Sequence, residues 1–326
     1  MKKLFLTLLA VAMAVLPLAG CKGSPAPSAA PSDGRLNIVT TIFPPYDFAR
    51  ALTGGKADIA MLLPPGAESH TYEPAPQDII AIQNCDLFVY VGGESDVWID
   101  DILGTMGDKA PATLKLIDCV AAVEETLVEG MQGEDGHDGA DSHGAQEDHA
   151  SAEYDEHVWT APANAIKIVQ AMRDAVSALD ADHAADYARN ADAYVQQLTA
   201  LDHDFAEMIR NAARHTIIVG DRFPFRYLAD AYGLDYYAAF PGCSSETEAS
   251  AATVAFLTDK LKAEEIPAVM YIEFSNHKIA DSIAESAGVK TLLLHSCHNV
   301  TRQELPSASY LSLMRQNLET LRQALG

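Results

Sequence analysis

Short apolar runs of strand length alternate with stretches of helix length on both sides of one long amphipathic segment, and this pattern constrains the fold more than any other feature. On the N-terminal side Leu36–Ile42, Ala57–Leu63, Leu87–Val91 and Thr113–Cys119 read as strands. Tyr46–Leu52, Gln77–Asn84 and Val97–Leu103 read as the helices between them. On the C-terminal side Thr216–Val219, Val269–Phe274 and Thr291–Leu294 read as strands, and Ala252–Ala263, Lys278–Ala287 and Tyr310–Leu325 as helices. Between the halves, Ile166, Val169, Met172, Val176 and Leu179 form one apolar stripe. Tyr187, Ala191, Tyr194, Leu198, Leu201, Phe205 and Met208 form a second, stepping by four and three, with Asp180-Ala181-Asp182-His183 as a candidate break. The expected fold is α/β with two lobes, each a parallel sheet covered by helices. The N-terminal lobe is expected over 36–160, a long connecting helix over 161–213 and the C-terminal lobe over 214–326. Ligands of open α/β sheets sit beyond the carboxyl ends of strands, and an interlobe cleft collects such ends from both lobes.

Ahead of the first strand, Lys2 and Lys3 precede an apolar run from Leu4 to Leu18, followed by Leu18-Ala19-Gly20-Cys21. A basic start, an apolar stretch short for a membrane span and a small-residue exit describe an export signal over 1–21. The tetrapeptide resembles the bacterial lipoprotein signal, in which the cysteine is acylated. Cys21 is therefore the expected lipidation site, with 22–35 a flexible tether to the outer face of the cell membrane. No later stretch is long and apolar enough to span. The 326-residue chain has 46 acidic and 22 basic side chains, a formal charge of −24. Such a surface repels phosphates and argues against nucleic acid as a partner. Residues 130–156, rich in Gly, Asp, Glu and His, break the pattern and read as a loop of the N-terminal lobe. Its His137, His143 and His149 suit either a weak cation collector or a solvated acidic linker. For an exported chain, Cys85–Cys119 and Cys243–Cys297 are candidate disulfides, with buried free thiols as the alternative.

Two strings point to chemistry. His70-Thr71-Tyr72-Glu73-Pro74-Ala75-Pro76-Gln77-Asp78 places a histidine on a proline-stiffened loop just past a strand. Asp155-Glu156-His157-Val158-Trp159-Thr160-Ala161-Pro162 places carboxylates beside an imidazole, able to accept its second N–H and raise its basicity toward a metal. Together they resemble the zinc- and manganese-binding receptors of ABC-type metal importers, whose H-x-Y/F-E-P-x-P-x-D and D-P-H-x-W-x-x-P strings each carry a ligating histidine. The resemblance covers roughly residues 36–326 and maps those ligands onto His70 and His157; Glu156 stands where the second string has proline.

The C-terminal half departs from that family. Counting back from Tyr232-Gly233-Leu234, its third ligand, a histidine, falls on Arg222, which has only donors and cannot bind a cation. Either Asp221 supplies an oxygen or the site lacks this ligand, leaving Asp221 to a salt bridge with Arg222 or Arg226. The family's fourth ligand, Asp or Glu, falls on Leu294-His295-Ser296-Cys297-His298. There His295, His298 or both are candidate ligands, and Cys297 either ligates as thiolate or is tied to Cys243. The resemblance implies an extracytoplasmic receptor that delivers zinc to an ABC permease, and a monomer is expected. A manganese receptor and a zinc-binding adhesin or storage lipoprotein are the alternatives. Histidine-rich ligation favours zinc, since manganese prefers oxygen. The chain has neither an HExxH string nor a nucleophile elbow, so a receptor rather than an enzyme is expected.

Overall fold

The computed structural model describes residues 34–131, 154–244 and 248–326. The export signal with Cys21, most of the tether, and His137, His143 and His149 lie outside the described residues.

In the N-terminal lobe, β1 (Leu36–Thr40), α1 (Phe43–Thr53), β2 (Ala57–Met61), α2 (Pro76–Gln83), β3 (Leu87–Tyr90), α3 (Val97–Met106) and β4 (Ala112–Lys115) follow in turn. The strands are parallel, in the order β2-β1-β3-β4. Every residue of β3 is buried, as an inner strand covered on both faces requires. Pro44 and Pro45 sit in the first turn of α1, where a missing N–H leaves no helical bond unmade. The helix therefore begins three residues before the expected Tyr46. The fourth strand ends at Lys115, and Ile117–Cys119 turn into a 3-10 helix instead of continuing to the expected Cys119.

The segment between the lobes forms two helices, not one. α4 (Pro162–Leu179) and α5 (Ala184–Arg210) pack against each other, separated by a short turn at the Asp180–His183 string. The Asp180 carboxylate accepts hydrogen bonds from His183 Nδ1 and Tyr187 Oη, 2.8 and 2.6 Å away, and so fixes that turn. α5 buries Tyr187, Ala191, Tyr194, Leu198, Leu201 and Phe205, and its stripe ends on Ile209 rather than Met208. It touches both α1 and the C-terminal helix. There Phe48 meets the rings of Tyr194 and Tyr310 edge-on at 6.0 and 5.0 Å, pairs worth about 0.5–1.5 kcal/mol each beyond their burial. Asp47 of α1 accepts from Tyr194 Oη and the Tyr310 amide, tying the two lobes together at this helix.

The C-terminal lobe repeats the plan with β5 (Thr216–Phe223), α6 (Arg226–Tyr232), β6 (Asp235–Pro241), α7 (Ala251–Ala263), β7 (Ala268–Tyr271), α8 (Lys278–Ala287), β8 (Lys290–Leu293) and α9 (Tyr310–Leu325). Its parallel order, β6-β5-β7-β8, is the same as in the first lobe. Four elements differ from expectation: α6 is an additional helix, β7 stops at Tyr271 short of the expected Phe274, and two further strands depart as follows. β6 is an additional strand, and its edge position tolerates Pro241. β5 runs four residues past Val219 through a register shift between Val219 and Arg222, which carries Arg222 to the cleft end of the sheet. Neither candidate disulfide forms: Cys85, Cys119, Cys243 and Cys297 are all free thiols. Cys297 lies buried near Asp47, Tyr194 and Tyr310, while Cys243 lies among Glu125, Asp155 and Glu156, so the two sulfurs occupy different surroundings.

Candidate metal centre

The carboxyl ends of β2 and β8, together with the segment entering α4, supply three imidazoles. His70 stands in the loop after β2, beyond Pro64-Pro65-Gly66, where Gly66 takes the left-handed conformation (φ 87°) open to glycine. Glu68 accepts the Thr71 amide, and Asp78 accepts both Tyr72 Oη and the Ala75 amide, so the loop is braced on each side of His70. His157 immediately precedes the 3-10 turn Val158–Thr160, and Pro162 then starts α4. His298 follows β8, its carbonyl accepting the Phe43 amide at the start of α1.

The ring centroids are 5.6 Å apart for His70–His157, 5.2 Å for His70–His298 and 4.9 Å for His157–His298. One nitrogen from each ring lies within 4.8 Å of the other two. Zinc bound by imidazoles at about 2.1 Å spaces tetrahedral ligand atoms roughly 3.4 Å apart, so a small contraction closes the triad on an ion. Each ring has its Nδ1 occupied. Asp155 Oδ1 accepts His157 Nδ1–H at 2.9 Å. His298 Nδ1 meets Ser296 Oγ at 2.6 Å, and that hydroxyl in turn donates to Glu273. His70 Nδ1 has a longer contact, 3.4 Å, to Ser95 Oγ. The second nitrogen is then the one free to ligate, and in His157 it is a buried Nε2 with no hydrogen-bond partner among the described residues. An uncompensated buried nitrogen costs about 1–3 kcal/mol, which a bound cation removes.

Electrostatics fit cation capture. Burial, then the His157 and Arg222 charges, holds His70 well below the ordinary imidazole value. Burial, then His157, His70, Arg222 and His295, does the same for His298. Both rings are therefore neutral at neutral pH, as ligation requires. Burial also pulls on His157, but Asp155, Glu156 and Glu125 outweigh it and hold this ring above its ordinary value. Burial pushes the Glu156 carboxyl up to about 7 while it accepts the Ser95 amide at 2.7 Å. Trp159 forms an apolar wall, 4.9 Å from the His298 ring and 5.6 Å from that of His157. Gly242 leaves room for His157, since a Cβ there would stand 2.9 Å from its Cε1. The adjoining cavity, lined by His70, His298, Trp159 and Glu156, is only about 40 Å³, room for an ion's solvent but not an organic ligand.

Of the sequence-derived candidates, His70, His157 and His298 come together and His295 and Asp221 do not. His295 Nδ1 accepts the Cys297 amide at 2.9 Å, a bond made by the left-handed turn at Cys297 (φ 68°). Asp221 accepts the Arg222 amide at 2.9 Å instead of pairing with a guanidinium. Arg222 pairs with Glu68 at 3.0 Å and Arg226 with Asp230 at 2.8 Å. Cys297 is outside the cluster too, its thiol raised by burial and then by Glu273 and Asp47. Ser95, Glu273 and Ser296 carried no sequence signal, because their roles depend on proximity across the fold.

A family model described as the periplasmic component A of the zinc-uptake complex matches residues 38–324. The zinc-binding lipoprotein AdcA of Streptococcus pneumoniae is 35% identical over 294 residues, 90% of this chain and 56% of its own length. The chain thus spans about half the length of the AdcA relatives it matches. The high-affinity zinc uptake system protein ZnuA of Bacillus subtilis is 31% identical over 320 residues, 98% of this chain and 97% of its own. The crystal structure of the Zn(II)-bound ZnuA-like domain of Streptococcus pneumoniae AdcA aligns with a TM-score of 0.72 at 31% identity, over 90% of this chain and 99% of that one.

Proposed function

We propose, for a chain that belongs to the zinc-uptake component A (ZnuA) family, that it is a receptor which captures one zinc ion between its lobes and delivers it to the permease of an ABC importer. The observation that carries this reading is the gathering of His70, His157 and His298 nitrogens within 4.8 Å, with His157 Nε2 buried and unpartnered. Three imidazoles, with no carboxylate in the cluster among the described residues, favour zinc over manganese, which prefers oxygen. The fourth tetrahedral position is left to solvent in the small adjoining cavity.

In this reading the protein is a carrier, not a catalyst. Ligands from β2, from the segment before α4 and from β8 close around the ion, and release follows when the permease parts the lobes. The export signal and Cys21 anchor the receptor at the outer face of the membrane, within reach of the permease. The test is metal analysis of protein lacking residues 1–21, followed by competition titration. One zinc per chain is expected, with at least tenfold weaker binding in each of His70→Ala, His157→Ala and His298→Ala. Wild-type affinity in all three variants would refute the assignment.

A further inference from the structure

The three rings are not held equally. His157 and His298 are each oriented by a short side-chain bond, 2.9 Å to Asp155 and 2.6 Å to Ser296. His70 has only the 3.4 Å contact to Ser95, so its place depends on the loop that carries it. That loop is gripped at two points by side chains of the opposite lobe. Asn299, wholly buried and adjacent to His298, donates from Nδ2 to the carbonyls of Pro64 and Ala67 at 2.8 and 2.9 Å. Its Oδ1 accepts the Val300 amide at 2.8 Å, which fixes the orientation of the amide. Arg222, at the cleft end of β5, reaches Glu68 through Nη2 at 3.0 Å and the Ser244 carbonyl through Nη1 at 3.3 Å. The other oxygen of Glu68 accepts the Thr71 amide at 3.1 Å, so the carboxylate spans the turn that contains His70.

We infer that Arg222 and Asn299 are positioning residues for His70: the C-terminal lobe sets the metal-binding geometry of an N-terminal-lobe ligand through an ion pair and an amide clamp, in place of a metal ligand at position 222. This rests on the three-imidazole reading above. Arg222 is about 8% exposed and the side chain of Glu68 about 29%, so solvent screens the pair in part without abolishing its hold on the loop as at an open surface. Because one partner of each grip is in each lobe, the His70 loop takes its final geometry only when the lobes are together.

The experiment uses two readouts on Arg222→Gln, Asn299→Ala, Glu68→Gln and the conservative Arg222→Lys. In zinc-free protein, exchange of the Thr71 amide should accelerate at least tenfold in Arg222→Gln and Glu68→Gln. By competition titration, zinc affinity should fall at least tenfold in Arg222→Gln and Asn299→Ala, at an unchanged stoichiometry of one. Arg222→Lys, which keeps the charge, should recover most of the affinity. Glu68→Gln/Arg222→Gln should be no weaker than Arg222→Gln alone, as expected when both act through one contact. Wild-type Thr71 exchange in Arg222→Gln overturns the proposal whatever zinc does, and so does wild-type zinc affinity in both Arg222→Gln and Asn299→Ala. His70→Ala separates this from the metal assignment: if that variant keeps wild-type affinity, the ligand reading fails, while the exchange data still decide whether the grip exists. Should Arg222→Gln not fold, Glu68→Gln carries the exchange comparison and Asn299→Ala the affinity comparison, with wild-type values in both overturning the proposal.

Discussion

Asp155→Asn isolates how much of the affinity comes from an orienting carboxylate rather than from a ligand. Asp155 Oδ1 accepts the amide and the Nδ1–H of His157, at 2.8 and 2.9 Å, within a fully buried site. Asparagine keeps an acceptor oxygen at nearly the same place and removes the negative charge that makes Nε2 a better donor to a cation. Loss of such a partner typically weakens metal binding about 10–100-fold, roughly 1.4–2.7 kcal/mol. The sign of the pH dependence follows from the causes acting on His157. Burial alone would lower its pKa, and Asp155, Glu156 and Glu125 reverse this and hold it above the ordinary 6.5. In the wild type, protons therefore begin to displace zinc from His157 while the pH is still above that ordinary value. In Asp155→Asn the largest upward influence is gone, the ring stays neutral to lower pH, and less affinity is lost on acidification. Competition titration with a chromophoric chelator at pH 8, 7 and 6 should show the full deficit at pH 8 and a narrowing gap toward pH 6. Equal affinities at pH 8, or a gap that widens on acidification, would refute the claim that Asp155 acts through the charge on His157.

Gly242→Ala should weaken zinc at least tenfold and lower the thermal midpoint, because the new methyl stands 2.9 Å from both His157 Cε1 and the Phe223 carbonyl, and the carbonyl cannot move aside cheaply; a variant with wild-type affinity would show that the ring has slack. His295→Ala and Asp221→Asn should keep zinc affinity within about threefold, since neither side chain is in the imidazole cluster. His295→Ala should still cost about 1–3 kcal/mol of stability by leaving the buried Cys297 amide without its acceptor, and a tenfold affinity loss without destabilisation would move His295 into the ligand set. Glu156→Gln tests the buried carboxyl, raised from the ordinary 4.5 to about 7. A raised folded value means stability is fully present below pH 4.5 and lost as pH passes 7. The variant should thus gain stability relative to wild type at pH 8, by at most about 3 kcal/mol, and not at pH 5, as read from thermal unfolding; the opposite trend between those pH values would rule out a burial cost at Glu156.

Local pattern determined most of the secondary structure. The helices Lys278–Ala287 and Tyr310–Leu325 fall on their expected residues because a 3.6-residue apolar period is written in the segment itself. The alternation of strands and helices required parallel sheets covered by helices, and both sheets have that form. His70 and His157 were legible because the two strings around them together resemble those of a metal-receptor family; the neighbouring prolines and carboxylates alone suit a ligand but equally an ordinary loop or surface histidine. β6 was not legible, because its mixed run, ending in Pro241, carries a weak period and is stabilised by pairing with β5.

Which imidazoles come together was decided by the tertiary structure alone. His295 and His298 stand three residues apart, and no local rule separates them. The left-handed turn at Cys297 gives one an amide to accept and sets the other against Ser296, whose hydroxyl donates on to Glu273, beside His157. Arg222 could be read as unable to ligate, but its partner could not be read, since Glu68 lies in the other lobe. The physical reason is the same in each case. Periodicity and turn chemistry are set by neighbours along the chain, whereas a metal site is a set of distances of a few ångströms between residues far apart in sequence, and those distances exist only once both sheets, α4 and α5 have packed.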